Sequence, residues 1–288
     1  MYIIYYILSI MAKSYLVILF TMIWLLVVLT TASLITPGHT YKSLPGAWGP
    51  MKDVSAIDLV NASKDVETYS FDMIVRTKTS GGMLTQFLNM QVMNITGEVD
   101  NVNKKTHFVI GSADIFKISP EAYLGETLSY ISLSGTGWIR SERRLNLWEQ
   151  GSVNVNILES NNITVIGTEN VGGAECYVLE IKTDKDKAFA LLAKQAGVMG
   201  LVGAEVSDKI KSIESTEWIE KDTLLPRKIV SEIVLGDGKN TVNVEITAHF
   251  SNYGRPVHIE PPEEAKEYYI EERNMIGVDE LFNSLSMI

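Results

Sequence analysis

The stretch from Glu217 to Pro262 reads EWIEKDTLLPRKIVSEIVLGDGKNTVNVEITAHFSNYGRPVHIEPP. Its middle, Gly236 to Asn240, is rich in residues that accept the positive φ of tight turns. After this turn, apolar residues alternate strictly with polar ones, and the apolar set is Val242, Val244, Ile246, Ala248 and Phe250. A period of two is typical of a strand with one buried and one solvated face, so the stretch predicts a long β-hairpin.

The same alternation sets the register of the hairpin. Val244, Ile246 and Phe250 are predicted to face inward, while Glu245 and Thr247 face solvent. The strand before the turn is less regular. Its two faces carry Ile229, Ser231, Ile233 and Leu235 on one side and Val230 and Val234 on the other.

Composition excludes several classes of function. The 288 residues are 46% hydrophobic and carry a formal net charge of −10. The first 37 residues contain no acidic side chain, so the acidic residues all lie in the remainder of the chain. Such an acidic chain is a poor partner for nucleic acid, whose phosphates require Lys and Arg. The single cysteine, Cys176, excludes an intrachain disulfide and a multi-cysteine metal site, and is predicted to be a small buried residue in a strand.

The N-terminus predicts a membrane segment. Residues 15–36 carry no charge, and 22 helical residues are long enough to cross a hydrocarbon core of about 30 Å. Lys13 favours an N-terminus that stays inside. Thr30 to Ser33 are small enough for a cleavage site, so a secretory signal remains an alternative, although the length favours a retained anchor. We therefore divide this region into a short cytoplasmic segment (1–14), an anchor or signal (15–36) and a linker (37–50).

The pattern predicts one domain over residues 51–270 and a tail over 271–288. It indicates a helix near 54–60, strands near 71–76, 88–95 and 107–110, and short strands around Tyr130 and Trp138. A parity change at Met93 and Ile95 predicts a bulge. A hairpin at Gly172-Gly173, a helix over 184–197, a strand from Ile210 and an acidic helix over 261–273 follow. Neighbouring strands joined by short turns predict an antiparallel sheet.

No motif for catalysis or for a cofactor occurs. The four histidines lack the spacing of metal ligands, and there is no nucleophile elbow and no phosphate-binding loop. We therefore predict no enzyme activity, no metal and no cofactor. His107 and His249 are predicted to face solvent. Arg140, Arg143 and Arg144, near Trp138 and Trp148, favour a basic strand edge over a seat for an anionic head group. Three sequons make Asn61, Asn94 and Asn162 candidates for glycosylation.

Several segments together resemble a known superfamily. In order they are VIGTENVGGAECYVLEI, a helix, STEWIEKDTLLPRKIVSEI and VEITAHFSNYGRPVHIEPPEEA. Over residues 52–268 this order is similar to the LolA/LppX-like lipoprotein-carrier superfamily, in residues such as Trp218, Pro226, Phe250, Tyr253, Gly254, Pro256 and Pro262. The resemblance implies an α+β fold: a strongly curved antiparallel sheet, or incomplete β-barrel, with helices plugging its open side. The chain lacks the lipidated cysteine of many relatives.

The resemblance also implies an apolar cavity that holds acyl chains. The first hypothesis is therefore a membrane-tethered, extracytoplasmic protein that binds a lipid, a lipidated protein or another amphiphile, in lipoprotein or lipid trafficking. Its candidate cavity and mouth residues are Leu191, Val198, Met199, Leu201, Val202, Val244, Ile246 and Phe250, with residues 198–202 as the lid. The alternative hypothesis is a cell-surface interaction or sensory module with a filled core and no ligand.

Overall fold

The computed structural model describes residues 56–80, 92–112, 119–132, 137–142, 162–182, 210–236, 241–267 and 269–271. They form twelve strands and two short helices, and no helix among them is long and apolar enough to cross a membrane. The elements are α1 (Ala56–Lys64), β1 (Thr68–Ser80), β2 (Val92–Asp100), β3 (Lys105–Ser112), β4 (Glu121–Gly125), β5 (Ser129–Ser132), β6 (Trp138–Ser141), β7 (Asn162–Val171), β8 (Ala174–Lys182), β9 (Ile210–Glu220), β10 (Pro226–Gly236), β11 (Thr241–Ser251), α2 (Glu263–Glu267) and β12 (Tyr269–Glu271).

The chain divides into two compact units, with β1 and β11 each divided between them. In the first unit the strand order is β1-β11-β10-β9-β8-β7. The pairs β7/β8, β8/β9, β9/β10 and β10/β11 are all antiparallel. In the β10/β11 hairpin Leu235 lies opposite Val242 and Gly236 opposite Thr241, so the strands converge on the turn that the sequence predicts.

One face of the first unit is strongly apolar. Leu59 of α1 packs on this inner face against Ile163, Leu179, Ile181 and Ile219. On β10 the buried residues are Ile229, Ser231, Ile233 and Leu235, and on β11 they include Val244 and Ile246. At about 25 cal/mol per Å² of apolar surface removed from water, this face supplies much of the driving force for folding.

The second unit has the strand order β12-β6-β5-β4-β3-β2-β1. Its core contains Tyr69, Phe71 and Met73, all at most 2% exposed, and the ring of Tyr69 lies 6.2 Å from that of Phe250. Gly97 lies beneath Phe71: a Cβ at this position would come within 2.5 Å of Phe71 Cζ and 2.6 Å of the His107 carbonyl oxygen. Glycine is therefore required here by close packing.

The structure confirms much of the predicted order. A large, mostly antiparallel sheet with few helices is present, and the hairpin register is correct, since Val244, Ile246 and Phe250 are buried. Glu245 is half-buried on the opposite face, where the Arg76 guanidinium lies 3.1 Å from its carboxylate. The strong curvature and the plugging helices stay predictions, because most of the expected helical residues lie outside the described ranges.

Three details of the prediction are wrong. The sequence did not indicate β4, which is only five residues long. The acidic helix over 261–273 is limited to Glu263–Glu267, and Tyr269–Glu271 instead pairs with β6 in parallel, because the edge of β6 offers free backbone groups. The predicted bulge does not interrupt the pairing of β2 with β3, which is continuous from Met93 to Asp100.

Candidate ligand-binding site

The inner face of β7, β8 and β9 carries a polar group among apolar ones. Glu217 lies opposite Leu179 of β8 and Ile229 of β10, and residues opposite each other in an antiparallel pair share a face. Both neighbours are at most 3% exposed. The next residues of β9 on this face are Ser215 and Ile219, so Glu217 is flanked by an apolar surface with one hydroxyl.

The carboxyl of Glu217 is desolvated. Burial raises its pKa to about 7, because the charged form loses its hydration in this environment. Among the described residues, the carboxyl group of Glu217 has neither a hydrogen-bond partner nor an ion-pair partner. The Ser215 hydroxyl is already engaged with that of Ser231, at 2.8 Å. A carboxyl group in these surroundings is costly to ionise until a donor or a cation reaches it.

Glu217 is nevertheless not sealed from solvent. Four residues of this face keep part of their surface accessible: Val165, Tyr177, Ser215 and Glu217. They lie among Leu179, Ile181 and Ile219, which are fully buried. Among the described residues, this part of the inner face is therefore not completely covered by other side chains. We call these four residues the inner patch.

One ion pair lies at the edge of the inner face, at the end of β9. Lys221 follows the strand, and its ammonium group bonds to the Glu175 carboxylate. The same ammonium group lies 5.2 Å from the centre of the Tyr177 ring, a distance at which a cation is attracted to an aromatic face. Both contacts hold Lys221 at the edge of the inner patch.

The opposite face of these strands carries a smaller cluster around Trp218. Cys176 and Val178 pack beside it, its indole N–H donates to Glu169 at 2.7 Å, and Lys228 lies 4.1 Å from its ring centre. The pKa of Cys176 is raised, first by burial, which leaves the thiol protonated and unreactive. The predicted role of Cys176 as a buried strand residue is therefore confirmed.

A second polar cluster lies in the second unit. His107 Nε2 is 2.9 Å from Glu121, the Tyr123 hydroxyl donates to the same carboxylate at 2.8 Å, and the two rings stack at 4.3 Å. Burial, together with the hydrogen bond to Glu121, raises the pKa of Tyr123 to about 12. A phenol with this pKa does not act as a base near neutral pH, so we interpret the cluster as structural.

Some predicted site residues can be located. Val244, Ile246 and Phe250 are buried in strand β11, whereas Leu191 and residues 198–202 lie outside the described residues, as do the N-terminal segment and the tail. Of the glycosylation candidates, Asn61 and Asn94 are exposed and Asn162 begins β7.

The remaining polar predictions have mixed outcomes. His249 is exposed as predicted, but His107 is half-buried against Glu121. Arg140 pairs with Glu142, while Arg143, Arg144 and Trp148 are not described. In the described part of the chain, no three metal-ligating side chains lie together.

Sequence reasoning missed Glu217. A signal was present, because Ile213 and Ile219 share its parity and place position 217 on the inner face. Trp218, the neighbouring residue with the largest side chain, lies on the other face.

Structural comparison finds several solved proteins to which this chain is similar over part of its length. The lipoprotein LppX of Mycobacterium tuberculosis matches with a TM-score of 0.43 and 15% identity, over 71% of this chain and 95% of its own. LprF of Mycobacterium bovis matches with a TM-score of 0.41 and 16% identity, over 72% and 94%. A putative outer membrane lipoprotein-sorting protein domain of Vibrio parahaemolyticus matches with a TM-score of 0.22 and 9% identity, over 66% and 86%.

No protein-family model matches the chain, and no curated protein sequence matches it.

Proposed function

We propose that this protein binds an amphiphile, a molecule with an apolar chain and a polar end, on the inner face of its first unit. The observation that carries the proposal is the inner patch, where accessible surface coexists with the burial that desolvates Glu217. Val165 and Tyr177 keep part of their surface accessible, which supports a surface that a ligand could cover. An acyl chain laid over this surface would gain about 0.8 kcal/mol for each buried CH₂ group.

In this proposal the domain lies outside the membrane and is attached to the membrane through the predicted N-terminal helix over residues 15–36. A carrier or holder of lipid, or of a lipidated protein, fits this location, because the ligand would otherwise be insoluble there. The motif resemblance to lipoprotein carriers supports this assignment, and so does the lack of a catalytic motif in the sequence.

The lid hypothesis for residues 198–202 belongs to the same proposal. Met199 and Leu201 are apolar and stand among Gly197, Gly200 and Gly203, which give the segment a pliable backbone. Changing both to Ser should weaken ligand binding by about 1.5–3 kcal/mol per side chain while stability stays nearly constant. Early melting with retained ligand would instead identify a buried corner.

The proposed function is tested by filling the groove. Val165→Trp adds a large side chain to the inner patch, and Thr164→Trp adds the same side chain to the exposed side of the same strand. After expression in the native host, lipids extracted from the purified full-length variants are quantified by mass spectrometry. We expect Val165→Trp to lose its co-purifying amphiphile and Thr164→Trp to retain it. Equal lipid content in both variants, or none in the wild type, would contradict the proposal.

The second candidate is an interaction module without a ligand. It is favoured by the second unit, where Tyr69, Phe71, Met73, Ile95 and Val99 are at most 2% exposed, which describes a filled core. Native mass spectrometry of the protein released from mild detergent separates the candidates. A mass excess that matches a lipid supports binding, and a protein partner without a lipid supports the module.

A further inference from the structure

Charge on the inner face of the first unit is concentrated at one position. On this face of β7–β10 the described charged side chains are Glu217 and, at the edge, Glu175. Glu175 is exposed and neutralised by Lys221. Glu217 lies in the middle, opposite Leu179 and Ile229, so among the described residues of this face it is the carboxyl group that a ligand in the groove would meet.

Among the described residues, the neighbouring elements supply no cation to Glu217. On this face β8 contributes Tyr177 as its titratable group beside Glu175, β10 contributes Ile229 and Ser231, and α1 contributes Leu59. Lys221 is four residues further along the chain, about 13 Å at the rise of a strand. Its ammonium group is held by Glu175 and by the Tyr177 ring.

We propose that Glu217 recognises the polar end of the bound amphiphile, and that this end carries a protonated amine. The inference rests on the proposed function, since it names the ligand class of the same site. A protonated amine supplies both the charge and the donors that the carboxylate lacks, and a charge-assisted hydrogen bond is stronger away from bulk water. A hydroxyl supplies a donor without the charge. A carboxylate or phosphate end would be repelled by the ionised form of Glu217.

Proton release should accompany this recognition. In the free protein burial raises the pKa of Glu217 to about 7, so part of the population is protonated at neutral pH. A bound ammonium group favours the ionised carboxylate and lowers this pKa again. Binding of an amine at pH 7 should therefore release protons, whereas binding of an alcohol should not. At pH 5, where the carboxyl is protonated, the preference for the amine should shrink.

The test uses three photoreactive probes with the same twelve-carbon chain and a diazirine, ending in an amine, an alcohol or a carboxylate. Full-length protein in phosphatidylcholine nanodiscs is labelled over a range of probe concentrations, and the labelled peptides of β8 and β9 are quantified. Glu217→Gln is compared with Glu214→Gln, which changes an exposed carboxylate on the opposite face of the same strand. The half-saturating concentration of each probe is expressed as a ratio between variant and wild type. The partition of the probe into lipid is the same for both proteins and therefore cancels in this ratio.

We expect the half-saturating concentration of the amine to rise roughly ten- to hundredfold in Glu217→Gln, the range of a charge-assisted hydrogen bond. The alcohol should change less than threefold, which also shows that the variant is folded, and Glu214→Gln should leave all three probes unchanged. If Glu217→Gln affects the amine and the alcohol alike, the inference is wrong while the proposed function stands. If no probe labels β8 or β9 saturably, both are wrong.

Discussion

Glu217 makes the stability of the protein depend on pH in an unusual direction. Its carboxyl has a pKa raised from 4.5 to about 7 in the folded protein, because burial penalises the charged form. Between these two values the folded state binds more protons than the unfolded state, so the free energy of unfolding falls as pH rises. The stabilising contribution is fully present below pH 4.5 and is lost as pH rises through about 7.

The magnitude follows from the size of the shift. Each pKa unit corresponds to about 1.4 kcal/mol, so a shift of this size gives an upper bound of roughly 3 kcal/mol. Glu217 keeps some accessible surface, and water there screens the charge, so we expect about 1–3 kcal/mol. Gln has nearly the same shape and does not titrate. The Glu217→Gln variant should therefore exceed the wild type in stability above pH 7 and lose this advantage below pH 4.5.

The assay is urea unfolding of the fragment that comprises residues 40–288, freed of detergent and of any bound lipid, at half-unit steps from pH 4 to 8.5. The difference in unfolding free energy between variant and wild type removes every other titrating group that the two share. Glu214→Gln is the control and should run parallel to the wild type at all pH values, because Glu214 is exposed. Parallel curves for Glu217→Gln would refute the reasoning, since they would mean that the carboxyl is hydrated or already paired.

Four other substitutions test the packing and one surface ion pair. Gly97→Ala should cost about 1–3 kcal/mol in urea unfolding, because the added Cβ would clash with the His107 carbonyl oxygen. Gly111→Ala is the control on the paired strand and should cost clearly less, because its added Cβ would lie 3.6 Å from the nearest atom, the Asn94 carbonyl oxygen. Equal losses in the two variants would contradict the close packing at Gly97. Phe250→Ala should cost about 3–5 kcal/mol, because the ring is 3% exposed, and a loss below 1 kcal/mol would indicate an open cavity there. Arg76→Ala should cost less than about 1 kcal/mol in the same assay, since its ion pair with Glu245 is exposed, and a larger loss would show that this pair is not a surface contact.

Local alternation was sufficient to predict most of the longer strands and the two faces of β11. In β11 the period of two is strict, so Val244, Ile246 and Phe250 were placed inward without knowledge of any neighbour. The hairpin turns at Gly172-Gly173 and after Gly236 followed from residues that accept positive φ, and both central glycines of the first turn have it. These features depend on adjacent residues alone, and for that reason the sequence determined them.

Partners that are distant in the chain were decided by the tertiary structure. The pairing of β12 with β6 joins residues 131 positions apart, and the short apolar runs of these strands contain no information about which edge they meet. Gly97 is required only because Phe71 and His107 converge on it. Glu217 is an ordinary strand glutamate until Leu179 and Ile229 enclose it from two other strands and raise its pKa, since desolvation depends on everything that surrounds a charge.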